Sequence, residues 1–179
     1  MKTAETRTLT MSAARKADEA FAHAEQLACF WRPTSPAFRS PEKAMVKAAE
    51  LGHPKAQEIC AYRFREGTGG FRKDLNEAYR WQRQLALSRD VGAMVDLAKY
   101  YTDGLGPIQK SELNLKIGIE ILDLAHEHYA CTPGHGAGEY ETIGALMTVL
   151  RRFVGGLSRR QKEAVRKSLL GGDYIVTAA

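Results

Sequence analysis

Cysteine is scarce in this chain of 179 residues, which carries three, at Cys29, Cys60 and Cys131. An odd number cannot all pair, and Cys60 falls on a predicted core face of a helix, so a disulfide-stapled scaffold is excluded and reduced thiols are expected. No apolar run approaches the roughly 20 residues that cross a bilayer. The opening Met1-Lys2-Thr3-Ala4-Glu5-Thr6-Arg7-Thr8 lacks the apolar centre of a secretory signal, and the expected location is cytoplasmic. Low-complexity tracts and coiled-coil segments are missing too. So is net charge over most of the length: all but seven of the 26 Lys and Arg, and all but two of the 21 Asp and Glu, precede residue 151. Beyond it Arg151, Arg152, Arg159, Arg160, Lys162, Arg166 and Lys167 face only Glu163 and Asp173, so the whole excess of +5 sits at the C-terminal end. A solvated helix face is the simplest account of that excess; an acidic partner is the other.

What the chain does have is an internal echo. Ala56-Gln57 through Gly67-Thr68-Gly69 returns as Ala93-Met94 through Gly104-Leu105-Gly106, every landmark displaced by 37 residues. A fixed period of 20 to 50 residues marks stacked supersecondary units, each burying its apolar face against its neighbours. With 44% hydrophobic and 26% charged residues, an ordinary globular balance, the chain is expected to form one all-α domain over 1–179.

The units read as helices. Ala13, Ala17, Ala20, Ala24, Leu27 and Ala28 recur at helical spacing and predict a first helix from Ser12 to about Cys29. Prolines at 33, 36 and 41 interrupt the next stretch, so 12–40 is an N-terminal helix and linker. A helix from Glu42 to Leu51 leads into two hairpins, with first helices near 54–66 and 91–103 and second helices near 75–88 and 112–129. Asp74 and Ser111 are the expected N-caps, and Gly67 and Gly104 the expected left-handed helix ends. Ala56, Cys60, Ala61 and Phe64, then Ala93, Leu97, Ala98 and Tyr101, form the predicted core faces, joined by Ala78, Trp81, Leu85 and Ala86. Glu139 to about Val154 and a helix opened by the capping box Ser158-Arg159-Arg160-Gln161 complete the chain to Gly171-Gly172.

Ala48-Ala49-Glu50-Leu51-Gly52-His53-Pro54-Lys55-Ala56-Gln57, with Gly67-Thr68-Gly69, Lys73-Asp74, Ala78 and Trp81, resembles the Sel-one-like repeats, helix-turn-helix units related to tetratricopeptide repeats. The second copy departs from the pattern: Ser111, Leu115 and Gly118 stand where the first has Asp74, Ala78 and Trp81. The resemblance implies a short right-handed αα-solenoid with repeats over 41–130 and capping helices over 139–172, serving as a scaffold for protein partners. On that geometry Glu58, Tyr62 and Arg65, and one period later Val95, Lys99 and Thr102, point away from the core and make the candidate protein-binding surface.

Chemistry finds weaker support. His126, His128, Cys131, His135 and Glu139 offer zinc-type ligands, but His126 and His128 point to nearly opposite sides of one helix. Cys131, His135 and Glu139 contain the residue types of a nucleophilic set without a surrounding signature. Gly67-Thr68-Gly69-Gly70-Phe71-Arg72-Lys73 looks like a phosphate cradle yet joins helix to helix and lacks the glycine-lysine-threonine ending. No cofactor, no metal and no catalysis are expected. The expected role is a scaffold or adaptor, with a bacterial immunity protein against a secreted toxin as its concrete form. The alternative is nucleic-acid or anionic-surface binding through Arg159, Arg160, Lys162, Arg166 and Lys167.

Overall fold

The computed structural model describes residues 2–30, 41–130, 144–145, 147–148, 151–152 and 154–171. Among these there are seven α-helices and no strand: α1 (Lys2–Phe30), α2 (Pro41–Glu50), α3 (Pro54–Glu66), α4 (Leu75–Leu87), α5 (Val91–Asp103), α6 (Glu112–Ala130) and α7 (Arg159–Gly171). Contacts divide the chain into two compact units, Met1–Trp81 and Gln82–Ala179, with the boundary inside α4.

In the first unit α1 packs on α2, and α2 on α3. The helix α1 begins ten residues before the expected Ser12. Residues 2–11 carry no periodic apolar stripe, so hydrophobic spacing is silent about them, yet they contain no proline or glycine that would stop a helix. Among the described side chains of α1 the buried ones are Ala17 and Ala24, and on α2 Met45, Ala48 and Ala49 are covered. Small residues at such a seam let two helix backbones approach closely.

The α2–α3 link is closed by polar atoms. Gly52 takes φ 90°, open to glycine at little cost. His53 N-caps α3 by accepting from the Ala56 amide on Nδ1 at 3.2 Å, while its ring stacks on Phe21 of α1 at 4.0 Å. Gln57, buried, donates its side-chain amide to the Ala49 carbonyl at 3.1 Å, satisfying an acceptor at the end of α2. The core face of α3 is as expected, with Ala56, Cys60, Ala61 and Phe64 covered. Phe64 meets Phe71 edge-on at 4.9 Å, which fixes the returning loop, and Gly67 ends α3 left-handed at φ 71°. Asp74 then caps α4 by accepting from the amides of Asn76 and Glu77.

The second unit repeats these devices with other residues. Asp90 stands one period after His53 and caps α5 by accepting from the Ala93 amide at 2.7 Å. Gly104 ends α5 at φ 69°, and the Ser111 hydroxyl accepts from the Asn114 amide at the start of α6. Gln82 donates to the Ala93 carbonyl. Where the repeat pattern lapses, packing tightens. Gly118 occupies the place of Trp81, and a Cβ there would stand 2.9 Å from Thr102 Cγ2 and 3.1 Å from the Ala98 carbonyl oxygen. The helices α5 and α6 therefore touch backbone to side chain, with α6 buried continuously from Ile117 to Ala125.

Glycine to alanine in a helix interior ordinarily stabilises by about 1 kcal/mol, whereas overpacking a tight seam costs about 1–3 kcal/mol. The sub-3 Å approach makes the second effect win. Gly118→Ala should lower stability by about 1–2 kcal/mol in urea unfolding, and Thr102→Ser, which removes the methyl in the way, should recover part of that loss. A stabilised Gly118→Ala variant would contradict the close α5–α6 seam.

Candidate functional site

Each half of the candidate protein-binding surface lies on its own unit. On α3, Tyr62 is 54% exposed, one of two large hydrophobic side chains left open among the described residues. The Arg65 guanidinium lies over its ring at 5.7 Å and also pairs with Glu66 at 2.9 Å. Glu58 is held by Lys55 at 2.8 Å. The result is an aromatic ring framed by charges, with the ring's outer side in solvent. On α5, Lys99 is exposed and pairs with Asp96 at 2.7 Å, while Val95 and Thr102 are half-buried. Thr102 differs from a free surface residue because its methyl faces Gly118 of α6 and its hydroxyl donates to the Lys99 carbonyl and to Asp103.

The basic C-terminal helix is organised by what it packs on. Val165, Ser168 and Leu169 are its buried positions, and α7 lies against α6. Ala164, next to Val165, is exposed. The covered stripe instead includes Lys162 and Arg166, which share its three- and four-residue spacing with Val165 and Leu169. Both reach Glu120 on α6, whose side chain is 3% exposed: Arg166 Nε donates at 2.7 Å and Lys162 Nζ stands at 3.4 Å from the other oxygen. Arg166 also forks onto Glu127, two turns along the same face of α6, at 2.8 and 3.0 Å. Hydrogen bonding to Glu127 and then to Glu120 raises the arginine's pKa further above its already high value. Asp123, buried on α6, pairs with Arg151.

Three of the five residues assigned to an acidic partner therefore stay outward. Arg159 is nearly fully exposed and contacts Glu163 one turn on at 3.2 Å, and Arg160 and Lys167 are exposed. Sequence reasoning missed Glu120, Asp123 and Glu127 as the anchors of this end of the chain. The signal was present, since two acids inside the apolar run Ile117 to Ala125 cannot be buried without cations to meet them.

The remaining clusters offer little chemistry. Cys131, His135 and Glu139 lie outside the described residues; His126 and His128 are half-buried on α6, each engaged by other groups. No set of three metal-ligating side chains converges among the described residues. Burial pushes the Cys60 thiol up to about 12, so it is protonated and unreactive at neutral pH. The glycine loop is occupied by its own protein: the Arg63 guanidinium lies against Gly69, where a Cβ would come within 3.0 Å of Nε, and over the Phe71 ring at 5.6 Å. Asp74 takes the first free amides of α4, so the loop serves as a turn and not as an anion cradle. Among the described residues no helix is long and apolar enough to cross a membrane.

Paired helices joined by left-handed glycine ends, with polar caps recurring every 37 residues, define a helical-hairpin repeat protein. No model of a known protein family matches the chain, and no curated protein does. Among solved structures, a Sel1 repeat protein from Oxalobacter formigenes is similar over 90% of this chain and 60% of its own, at 21% identity and a TM-score of 0.55. The chain thus spans less than two thirds of that protein's length. Its fold is all-α and of the Sel1-repeat class, as the resemblance of Ala48 to Trp81 implies.

Removing one partner of a buried ion pair costs about 3–5 kcal/mol, but Arg166 is itself partly exposed and Lys162 remains beside Glu120. Arg166→Met should therefore destabilise by about 2 kcal/mol in urea unfolding. Pairing it with Glu120→Leu, which removes the buried carboxylate and leaves only the partly exposed Lys162 and Glu127 without these partners, should restore most of that stability. An Arg166→Met variant as stable as the parent would show that the α6–α7 contact does not depend on this network.

Proposed function

We propose that the protein is a non-enzymatic scaffold that binds another protein through the outward face of α3, centred on Tyr62. The observation that carries this is the open tyrosine ring framed by Arg65, Glu58 and Lys55. Tyrosine and arginine are enriched among the residues that dominate binding energy at protein interfaces, and tyrosine combines large apolar area with a polar handle and only two side-chain torsions. Charge pairs around such an anchor exclude water and set register more than they add affinity. On α5, in the other unit, the positions one period on, Val95, Lys99 and Thr102, form a second proposed face, with Lys99 its most accessible member.

In its concrete form the scaffold is a cytoplasmic bacterial immunity protein or adaptor that engages a secreted effector. The helical-hairpin repeat fold, which presents helix faces to partners, supports this reading. Nucleic acid is the second reading, resting on Arg159, Arg160 and Lys167, the C-terminal cations left outward once Lys162 and Arg166 dock on α6.

The test is affinity capture from the native host followed by binding measurements on the recovered partner. Tyr62→Ala removes an exposed ring and should leave the unfolding free energy within about 0.5 kcal/mol of the parent. Affinity should fall about 30-fold, the effect of losing an anchor worth about 2 kcal/mol. Lys99→Ala should weaken binding less. Capture that is identical with the parent and the Tyr62→Ala, Lys99→Ala double variant would remove the assigned surface. Tight binding of nonspecific RNA at low salt, lost on reversing Arg159, Arg160 and Lys167, would favour the second reading.

A further inference from the structure

The alanines that bring α1 and α2 together also leave a channel above their seam. It is an open groove of about 440 Å³, with Ala20 and Ala44 lining it, Lys16 and Glu19 on the α1 side, Lys47 on the α2 side, and Leu51 at the end of α2. His23 adds a titratable group on the α1 side. Leu51 is 42% exposed, the other large hydrophobic side chain besides Tyr62 left open among the described residues. Positions 16, 20 and 23 on one helix, and 44, 47 and 51 on the other, each span two turns, or about 10 Å of helix. That length matches the apolar anchors of a docked helix, which recur at three- and four-residue spacing.

Charge decides what fits. Glu19 is occupied by Arg15 at 2.9 Å, whereas neither Lys16 nor Lys47 has an ion-pair partner among the described residues. The channel therefore presents an apolar floor between unpaired cations. We infer that this groove docks an amphipathic helix of a partner protein, with an apolar side chain seated against Leu51, Ala20 and Ala44 and carboxylates reaching Lys16 and Lys47. The segment 31–40 of this chain is mismatched, since its charged residues are Arg32 and Arg39. The groove involves neither Tyr62 nor Arg65, so it is independent of the surface on α3.

The probe is a fluorescein-labelled alanine-based helical peptide with one leucine flanked by glutamates at three- and four-residue spacing, with a lysine-for-glutamate counterpart as control. Anisotropy should show binding of the acidic peptide only, weakened by salt. The Lys16→Glu, Lys47→Glu double variant should lose at least tenfold in affinity for it and gain binding of the lysine peptide. Tyr62→Ala should leave both results unchanged. A photoreactive benzoylphenylalanine at position 51 in the otherwise unaltered chain should cross-link to the acidic peptide. No binding by the folded parent, equal affinity for both peptides, or cross-linking confined to residues 31–40 or to a second copy would overturn the inference.

Discussion

How closely two helix backbones can approach is set by the side chains between them, and that distance governs most of this structure. Alanine at positions 17 and 24 of α1, 48 and 49 of α2, and 56 and 61 of α3 keeps the seams of the first unit thin. Ala93, Ala98 and Gly118 do the same between α5 and α6. Larger apolar groups add specific contacts beside these small residues: Phe64 on Phe71, Phe21 on His53, and Tyr101, fully covered, next to Gly118. Specific contacts at the edges supply the orientation that a smooth alanine face would leave undetermined.

Polar groups do the closing. Each helix end that turns into its neighbour is satisfied by a named atom: His53, Asp74, Asp90 and Ser111 at helix starts, Gln57 and Gln82 on carbonyls, and Gly67 and Gly104 as left-handed ends. The two copies keep the geometry and exchange the chemistry, an imidazole in one cap and a carboxylate in the other. At the link before each cap the backbone is left-handed whether the residue is Gly52, at φ 90°, or Arg89, at φ 65°. The repeat is thus a constraint on backbone conformation first and on residue type second.

These facts explain what could be read from the chain directly. Caps, glycine ends and core faces depend on neighbours within a few residues, so Ser111, Gly104 and the Ala56–Cys60–Phe64 face were legible from spacing alone. The resemblance added the pairing of helices and the outward placement of Tyr62. Illegible were features set by distant partners. The first ten residues of α1 carry no apolar stripe, so spacing had nothing to read there. Lys162 and Arg166 lie on a helical arc that also fits a solvent-facing surface, and only the position of α6 turns them inward. Likewise Thr102 reads as exposed until Gly118 approaches it. The groove beside Lys16 and Lys47 belongs to no motif, because it is made from what two helices leave unfilled.

The buried carboxylate of α6 carries a consequence for the birth of the chain. Glu120 precedes Arg166 by 46 residues, so it leaves the ribosome well before the cations that neutralise it. At typical synthesis rates that interval is roughly 2 to 9 seconds. During it the most apolar helix of the second unit holds an acid that opposes its burial, and the nascent segment keeps a reason to stay hydrated. Arrival of α7 removes that reason, so a helix made later licenses the closing of the one made before it.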